Sequence, residues 1–305
     1  MKYIAILSLL CLSAQLTFAS VLYQSVVRSR ESSGYTYDRA GTNGPVHWGS
    51  ISTDYRKCSS GHHQSPINVA LSKARAYPMS NKRAPRVRLL PAKFSFENGT
   101  ENFALHCDDS TSCGYTTFAG TRYQFVNLHF HSPSEHTING KHFPLEAHMV
   151  HESADGAKLV VSTLFRDPAQ SDDLDGILLT RGARRTPSST QFHSILNHID
   201  SRDTQFSVHT PAFMGSAGYC TYTGSLTTPP CTEDVTWLIA LQEQPIHISD
   251  VEVYQKYSVS TQFHNNRPVH PLNSREIICY HRPGLITRSG SFYHHIQQFL
   301  DGFTW

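Results

Sequence analysis

Gln124-Phe-Val-Asn-Leu-His-Phe-His131 has the composition of a β-strand, with Leu128 and Phe130 alternating against His129 and His131. Successive strand side chains point to opposite faces, so the two imidazoles share one face and the two apolar groups share the other. Two histidines on one face of a rigid strand are two-thirds of a metal site. Asn139-Gly140 is a strong two-residue hairpin signal downstream. Pairing the chain about that turn places His131 opposite His148, with Pro133 unable to donate to the ladder and free to bulge it. The face assignment survives a slip of two residues but not of one. Glu146 then lies two residues before His148 on the same face, placed to accept a hydrogen bond from an imidazole. Three histidines leave the fourth tetrahedral position of a zinc ion open to water, the arrangement of a catalytic rather than a structural site. Zinc brings the pKa of that water to about 7.

Around this segment lie further short β-rich runs: Lys93 to Glu97, Phe103 to Cys107, Leu145 to His151, Leu159 to Phe165, Cys220 to Thr223 and Val235 to Leu241. Clusters of Gly, Pro, Asn and Asp separate them, which predicts an α+β, mostly β single domain on a large, mostly antiparallel twisted sheet with a few short peripheral helices. Helical periodicity is sparse and late, clearest at Asp172 to Leu179, Phe192 to Ile199 and Val251 to Ser258, the last with Ser249 and Asp250 as capping candidates. Basic clusters at Lys82, Arg83, Arg86 and Arg88, and at Arg181, Arg184 and Arg185, read as solvated loops.

The 305 residues are 39% hydrophobic and 16% charged with 18 Gly and 16 Pro, which excludes disorder, coiled coil and collagen. A net charge of +2 with scattered cations leaves no footprint for nucleic acid. Met1-Lys2, the apolar run Ile4 to Leu12 and Thr17-Phe18-Ala19 form a secretory signal over residues 1–19. Residues 20–34 read as a mobile lead, 35–285 as the domain and 286–305 as a tail too polar for a lipid-anchor signal. No run is long enough for a membrane span, so the expected product is secreted, extracellular and without a membrane anchor. Six cysteines remain after the signal, Cys58, Cys107, Cys113, Cys220, Cys231 and Cys279, with 15 possible pairings and no CxxC pair for a thiolate zinc site. Asn98-Gly99-Thr100 is a sequon, making Asn98 a glycosylation candidate.

The residues now in view resemble an α-class carbonic anhydrase of the secreted type. His129-Phe-His131, Ser134-Glu-His-Thr137, Glu146-Ala-His-Met-Val-His151 and Gly224-Ser-Leu-Thr-Thr-Pro-Pro230 stand in that family's order. Asn43-Gly-Pro-Val-His-Trp48, Gln64-Ser-Pro-Ile-Asn68, Val235-Thr-Trp237, Arg267-Pro and Pro271-Leu-Asn-Ser-Arg275 extend the likeness from about Tyr35 to Arg282. The resemblance implies Zn2+ held by His129 and His131 through Nε2 and by His148 through Nδ1. It implies reversible hydration of carbon dioxide to bicarbonate through zinc-bound hydroxide, whose hydrogen bond Thr227 accepts while donating its own to Glu135. A Thr hydroxyl does both at once, whereas an ionised Glu only accepts. The resemblance further places Thr227 and Thr228 beside the small-molecule substrate, CO2 or bicarbonate, and Val150, Val161, Leu226 and Trp237 in an apolar wall. Asn127 and Glu146 would support the imidazoles, Tyr37 and Asn98 would lie on the proton path, Tyr37 ordering its water, and Cys58 would pair with Cys231. Cys107 and Cys113 flank a polar turn and can close it, which leaves Cys220 and Cys279.

Two departures stand out against the family pattern. Asn127 occupies a position where Gln is more familiar. Fast family members carry a mobile His just after the Asn-Gly at the rim, where this chain has Thr100 or Asn102, neither of which carries protons. A non-catalytic binding protein on the same fold is the alternative from another class, disfavoured by the intact set of His129, His131, His148, Glu135 and Thr227. A third reading, a zinc hydrolase acting on esters or peptides, is disfavoured because this sequence has no obvious general base such as the Glu of HExxH.

Overall fold

A computed structural model describes residues 34–80, 84–90, 92–98, 103–109, 111–167, 192–193, 195–196, 205–206, 218–257 and 264–281. The expected signal and tail, the expected lead up to residue 33, the helix at Asp172 to Leu179, the basic positions Lys82, Arg83, Arg181, Arg184 and Arg185, and Thr100 and Asn102 lie outside these residues, as does much of the expected helix from Phe192 to Ile199.

The strands are β1 (Asn68–Val69), β2 (Arg75–Pro78), β3 (Arg86–Leu89), β4 (Ala92–Asn98), β5 (Phe103–Cys107), β6 (Gly114–Phe118), β7 (Thr121–His131), β8 (Thr137–Ile138), β9 (Leu145–Ser153), β10 (Lys158–Arg166), β11 (Gln205–Phe206), β12 (Gly218–Ser225), β13 (Glu233–Ala240), β14 (Gln244–Pro245) and β15 (Ile278–His281). A 13-stranded sheet runs β11-β4-β5-β7-β9-β10-β13-β12-β15-β2, with β14 on β10 and β6 joining β3 to β7. Pairing is antiparallel except at β10–β13, β10–β14 and β15–β2. The mostly antiparallel expectation therefore describes the sheet. Among the described residues the helices are short, Ile248–Tyr257 being the longest. Ser249 and Asp250 lie inside its first turn and do not cap it. The His247 carbonyl accepts from the Asp250 and Val251 amides, starting the helix one turn earlier than periodicity suggested.

The central strand β10 is apolar and β-branched and is buried along nearly its whole length, because both of its faces are covered. On one face Phe125, Leu128, Phe130, Met149, Val161 and Leu238 belong to the larger core. On the other, Val160, Trp237, Ile239 and Tyr222 form a second cluster with Val150 and Leu226 against it. A smaller cluster holds Tyr37, Trp48, Cys58 and Cys231.

Strand β7 supplies residues to both faces by an irregularity that alternation alone does not reveal. Its register against β9 shifts between Phe125 and Asn127, leaving Val126 as a bulge. Tyr123 and Phe125 before it and Leu128 and Phe130 after it thereby all reach the larger core. Arg122 and Gln124 share the opposite face with Asn127, His129 and His131.

The predicted hairpin register is off by two. His148 faces His129, and Glu146 faces His131. The Asn139-Gly140 turn does form, with φ of 50° and 82°, but it closes only Ile138 against Lys141. The segment between the strands leaves the ladder at Pro133, and Thr137–Ile138 pairs with β1 instead. An even slip keeps every side chain on its face, so His148 still joins His129 and His131. All three disulfides are present: Cys58–Cys231, Cys107–Cys113 and Cys220–Cys279. The last joins residues directly opposite each other on β12 and β15.

His151, in the same Glu-Ala-His-Met-Val-His run as His148, is structural. It is fully buried, its Nδ1–H donates to the Met149 carbonyl at 2.9 Å, and Nε2 accepts from the Thr116 hydroxyl at 3.0 Å. Burial drops its pKa to about 4 against an ordinary 6.5. A depressed histidine binds its proton more readily unfolded than folded. Its stabilising effect is therefore complete above pH 6.5 and fades towards pH 4, by about 3 kcal/mol. Urea denaturation at pH 7 and 4.5 should show the stability gap between the parent and His151→Gln narrowing by about that amount on acidification. A constant gap would contradict the assignment.

Candidate metal centre

Three imidazoles converge where β7 and β9 run side by side. One ligand atom from each of His129, His131 and His148 lies within 4.8 Å of the others. In each ring one nitrogen is engaged by an acceptor, which fixes where the hydrogen sits. His129 Nδ1 donates to Asn127 Oδ1 at 2.9 Å. His131 Nδ1 donates to the Asn265 carbonyl at 2.6 Å. His148 Nε2 donates to Glu146 Oε1 at 2.8 Å. The lone pairs left over are on His129 Nε2, His131 Nε2 and His148 Nδ1. Among the described residues His131 Nε2 is buried with no hydrogen-bond partner, so its lone pair is free to take a donor or a metal ion.

Burial comes first in holding all three rings below the ordinary imidazole range; repulsion from the neighbouring rings adds to it at His129 and His131, and repulsion from His136 adds to it at His148. His131 falls to about 3. The rings are thus neutral at physiological pH, the form in which histidine binds metal. His131 and His148 are buried, while His129 is partly exposed, so the cluster opens to solvent on one side. A set of three histidines with an open side fits a borderline transition-metal ion.

Glu146 organises the surroundings. Its Oε2 accepts from the amides of Glu135 and His136, both at 2.8 Å. Its Oε1 accepts from His136 Nδ1 at 2.7 Å, His148 Nε2 at 2.8 Å and the Ser162 hydroxyl at 2.6 Å. Burial alone would raise this carboxyl, but the facing His136 and His148 and their hydrogen bonds hold it well below the ordinary range. From His136 the network continues. Tyr222 OH lies 2.7 Å from His136 Nε2 and 2.7 Å from Ser65 Oγ, and Ser65 and Ser225 each donate an amide to the other's hydroxyl. Residues His136, Glu146 and His148 also form a ligand-like cluster. Both nitrogens of His136 are already hydrogen-bonded there, so that cluster is a scaffold and not a second metal site.

Glu135 is buried beside the imidazoles, with Oε2 at 3.4 Å from His131 Nε2 and 3.8 Å from His148 Nδ1. Oε1 accepts from the Arg267 amide at 2.9 Å. Burial raises its pKa well above the carboxylate range, opposed by the Thr227 hydroxyl and the Arg267 amide. A cation among the imidazoles would act in the same sense as those two donors. Arg267 itself is buried, with Nη1 donating to Gln64 Oε1 and the Ser65 carbonyl and Nη2 to the Cys58 carbonyl. It thus ties Glu135 to the Cys58–Cys231 bond, which follows the Thr227 loop. Gly224 leads into that loop because a Cβ there would collide with Ser65 Oγ and the Tyr222 ring.

Trp237 packs edge-on against His148 at 4.9 Å and donates Nε1 to the Ser225 carbonyl at 3.0 Å. Val150 and Leu226 are partly buried against the same cluster. Val161 does not join them: it pairs with Met149 and faces the larger core, whereas Val160, opposite Val150, stands on the site face. The placement read from the family pattern was one residue off, and in a strand one residue is the other face. Tyr37 is buried with its ring 6.4 Å from His131. Asn98 ends β4, paired with Phe103 on β5.

Four contributors were not assigned from sequence. The Asn265 carbonyl is backbone and leaves no residue-type signal. Ser162 was visible as the polar side chain between Val160 and Leu164 on the site face of β10. His136 and Tyr222 connect only through the fold.

A family model described as eukaryotic-type carbonic anhydrase matches residues 43–281. The chain is 32% identical over 244 residues to a carbonic anhydrase of Pectobacterium atrosepticum, covering 78% of this chain and 88% of that one. Among solved structures it is similar to an α-carbonic anhydrase from Thermovibrio ammonificans in complex with sulfanilamide, at TM-score 0.67 and 27% identity over 81% of this chain and all of that one. It is similar also to a dioscorin complexed with ascorbate, at TM-score 0.67 and 25% identity over 82% and 99% of the two chains. The match spans the sheet, the three converging imidazoles and the loop that carries Thr227, and the chain accordingly belongs to the eukaryotic-type carbonic anhydrase family, a family of carbonate dehydratases, which are lyases.

Proposed function

We propose that this chain is a secreted zinc enzyme for the reversible hydration of carbon dioxide to bicarbonate and a proton, with Zn2+ held by His129 Nε2, His131 Nε2 and His148 Nδ1. The observation that carries this reading is the convergence of three imidazole lone pairs whose opposite nitrogens are all committed to acceptors. When bound, zinc supplies a nucleophile at neutral pH by lowering the pKa of water from 15.7 to about 7.

The chain's own residues then orient and select. Thr227, donating its hydroxyl hydrogen to Glu135, has only acceptor capacity left, so it aligns the attacking oxygen towards the substrate carbon. The Thr227 amide and the Thr228 side chain adjoin the carboxyl oxygens of bicarbonate. Val150, Leu226 and Trp237, joined by Val160, form the apolar side that accepts carbon dioxide and sheds water. Asn127 and Glu146 hold the rings of His129 and His148 in the orientation and tautomer that point the lone pairs inward. The disulfides support an oxidising compartment, consistent with the signal-like start and with use of the Asn98 sequon.

Elemental analysis of the purified mature protein should find one zinc per chain. Zinc-edge X-ray absorption should find three nitrogen ligands at roughly 2.0–2.1 Å. A protein that takes up no zinc, or binds it through thiolates, would contradict the reading.

Proton release has its own signature. Neither Thr100 nor Asn102 carries a titratable side chain, so protons leave through Tyr37-ordered water to the buffer. Raising the concentration of small imidazole buffers should increase kcat several-fold to a plateau and leave kcat/KM unchanged. Buffer-independent kcat in stopped-flow assays would count against it.

A further inference from the structure

Arg86 and Arg88, expected in a solvated loop, stand on strand β3 instead. Register places Arg88 opposite Tyr115 and Arg86 opposite Thr117 on β6. Tyr115 in turn faces Gln124, and Thr117 faces Arg122, on β7. Directly opposed residues in an antiparallel pair share a face, so Arg86, Arg88 and Arg122 project from one side of this three-stranded corner. All three are exposed, while Val87 and Leu89 between and beside them pack towards the larger core. Along β3 the two arginines are about 7 Å apart, and Arg122 lies two strand spacings, about 10 Å, across.

Among the described residues none of the three has a carboxylate partner. Glu152, on the same face, is taken by Lys158 at 2.7 Å, and Glu276 is taken by Arg75 at 2.8 Å. Arg122 lies over the Tyr115 ring at 3.6 Å, which holds its guanidinium on the face.

We propose that this β3–β6–β7 face binds a linear sulfated glycan through Arg86, Arg88 and Arg122. Guanidinium forks match sulfate oxygens in a bidentate way, and three unpaired forks on a flat sheet suit charges repeated along an extended chain. Nucleic acid fits less well: the ring of Tyr115 is covered by Arg122 and offers no stacking platform. Among the described residues the exposed large apolar groups, Val46, Tyr77, Ile248, Val253 and Val269, lie on other segments and form no wedge on this face of the kind a lipid surface needs. The disulfides favour an oxidising compartment, where sulfated glycans are the common polyanions.

The test uses the full mature protein and a size-defined heparin oligosaccharide as probe, with desulfated heparin and duplex DNA of equal charge as competitors. The triple variant Arg86→Gln, Arg88→Gln, Arg122→Gln is compared with Arg39→Gln, Arg56→Gln, Lys73→Gln, which removes the same charge from exposed positions elsewhere. The face triple should lose at least about tenfold in affinity, three exposed ion contacts at roughly two- to fivefold each. Its log–log salt dependence should fall by about three through lost counterion release. The control triple should bind as the parent does. Equal weakening by both triples, no weakening by the face triple, or DNA or desulfated heparin competing as well as heparin would each overturn the proposal. Should the face triple not fold, Arg86→Gln and Arg122→Gln singly should each lower the salt dependence by about one, and no change would overturn it.

Discussion

His148→Ala is expected to purify folded, to hold almost no zinc and to hydrate carbon dioxide at least about 10³-fold more slowly than the parent, because two imidazoles remain where the ion needs three and its acidification of water is lost. Folding should survive because the ring lies at the edge of the second cluster against Trp237, and Glu146 keeps its other four donors. Circular dichroism, zinc analysis and stopped-flow rates on one preparation check all three statements. A rate within tenfold of the parent's would show that His148 is not a ligand.

Glu146 should matter more to the fold than any ligand does. Five donors converge on its buried carboxylate. Glu146→Leu strands all five at about 1–3 kcal/mol each, a sum comparable with the whole stability of a typical domain, so this variant should not accumulate as folded protein. Glu146→Gln keeps one acceptor oxygen but turns an amide NH2 towards the remaining donors. It should fold with several kcal/mol less stability and bind zinc about 10- to 100-fold more weakly. Urea unfolding and chelator competition measure the two effects, and parent-like values for the Gln variant would refute the role. The pH sense follows from the same contacts. A carboxyl held below its ordinary range stabilises fully above the unfolded value, and the effect is lost as pH falls through the folded one. The metal-free protein should accordingly lose stability on acidification.

The side-chain period of a strand is local, so the sequence was enough to put His129 and His131 on one face and Leu128 and Phe130 on the other. Parity carried the argument as far as His148. The register itself was wrong by two, because it depends on where the chain between Pro133 and Pro144 goes, and that segment pairs with β1 rather than zipping the hairpin closed. The bulge at Val126 was hidden because Phe125 and Val126 are adjacent and both apolar, and nothing local marks which one is extra. Val161 was misplaced by one residue in a run, Leu159 to Phe165, where both faces are buried and the pattern offers no alternation to read. Asn127 reaches His129 despite its short side chain, a distance that only the backbone geometry decides. The acceptor for His131 is a main-chain carbonyl, which no residue type advertises.

The most direct test of the central claim is stopped-flow carbon dioxide hydration by one preparation taken through three states: as purified with zinc, stripped by chelator, and reloaded with a single equivalent of zinc. The proposed function predicts rapid hydration, its loss on stripping, and full return at one zinc per chain. Hydration that survives stripping, or that is absent from protein carrying a full equivalent of zinc, would contradict it.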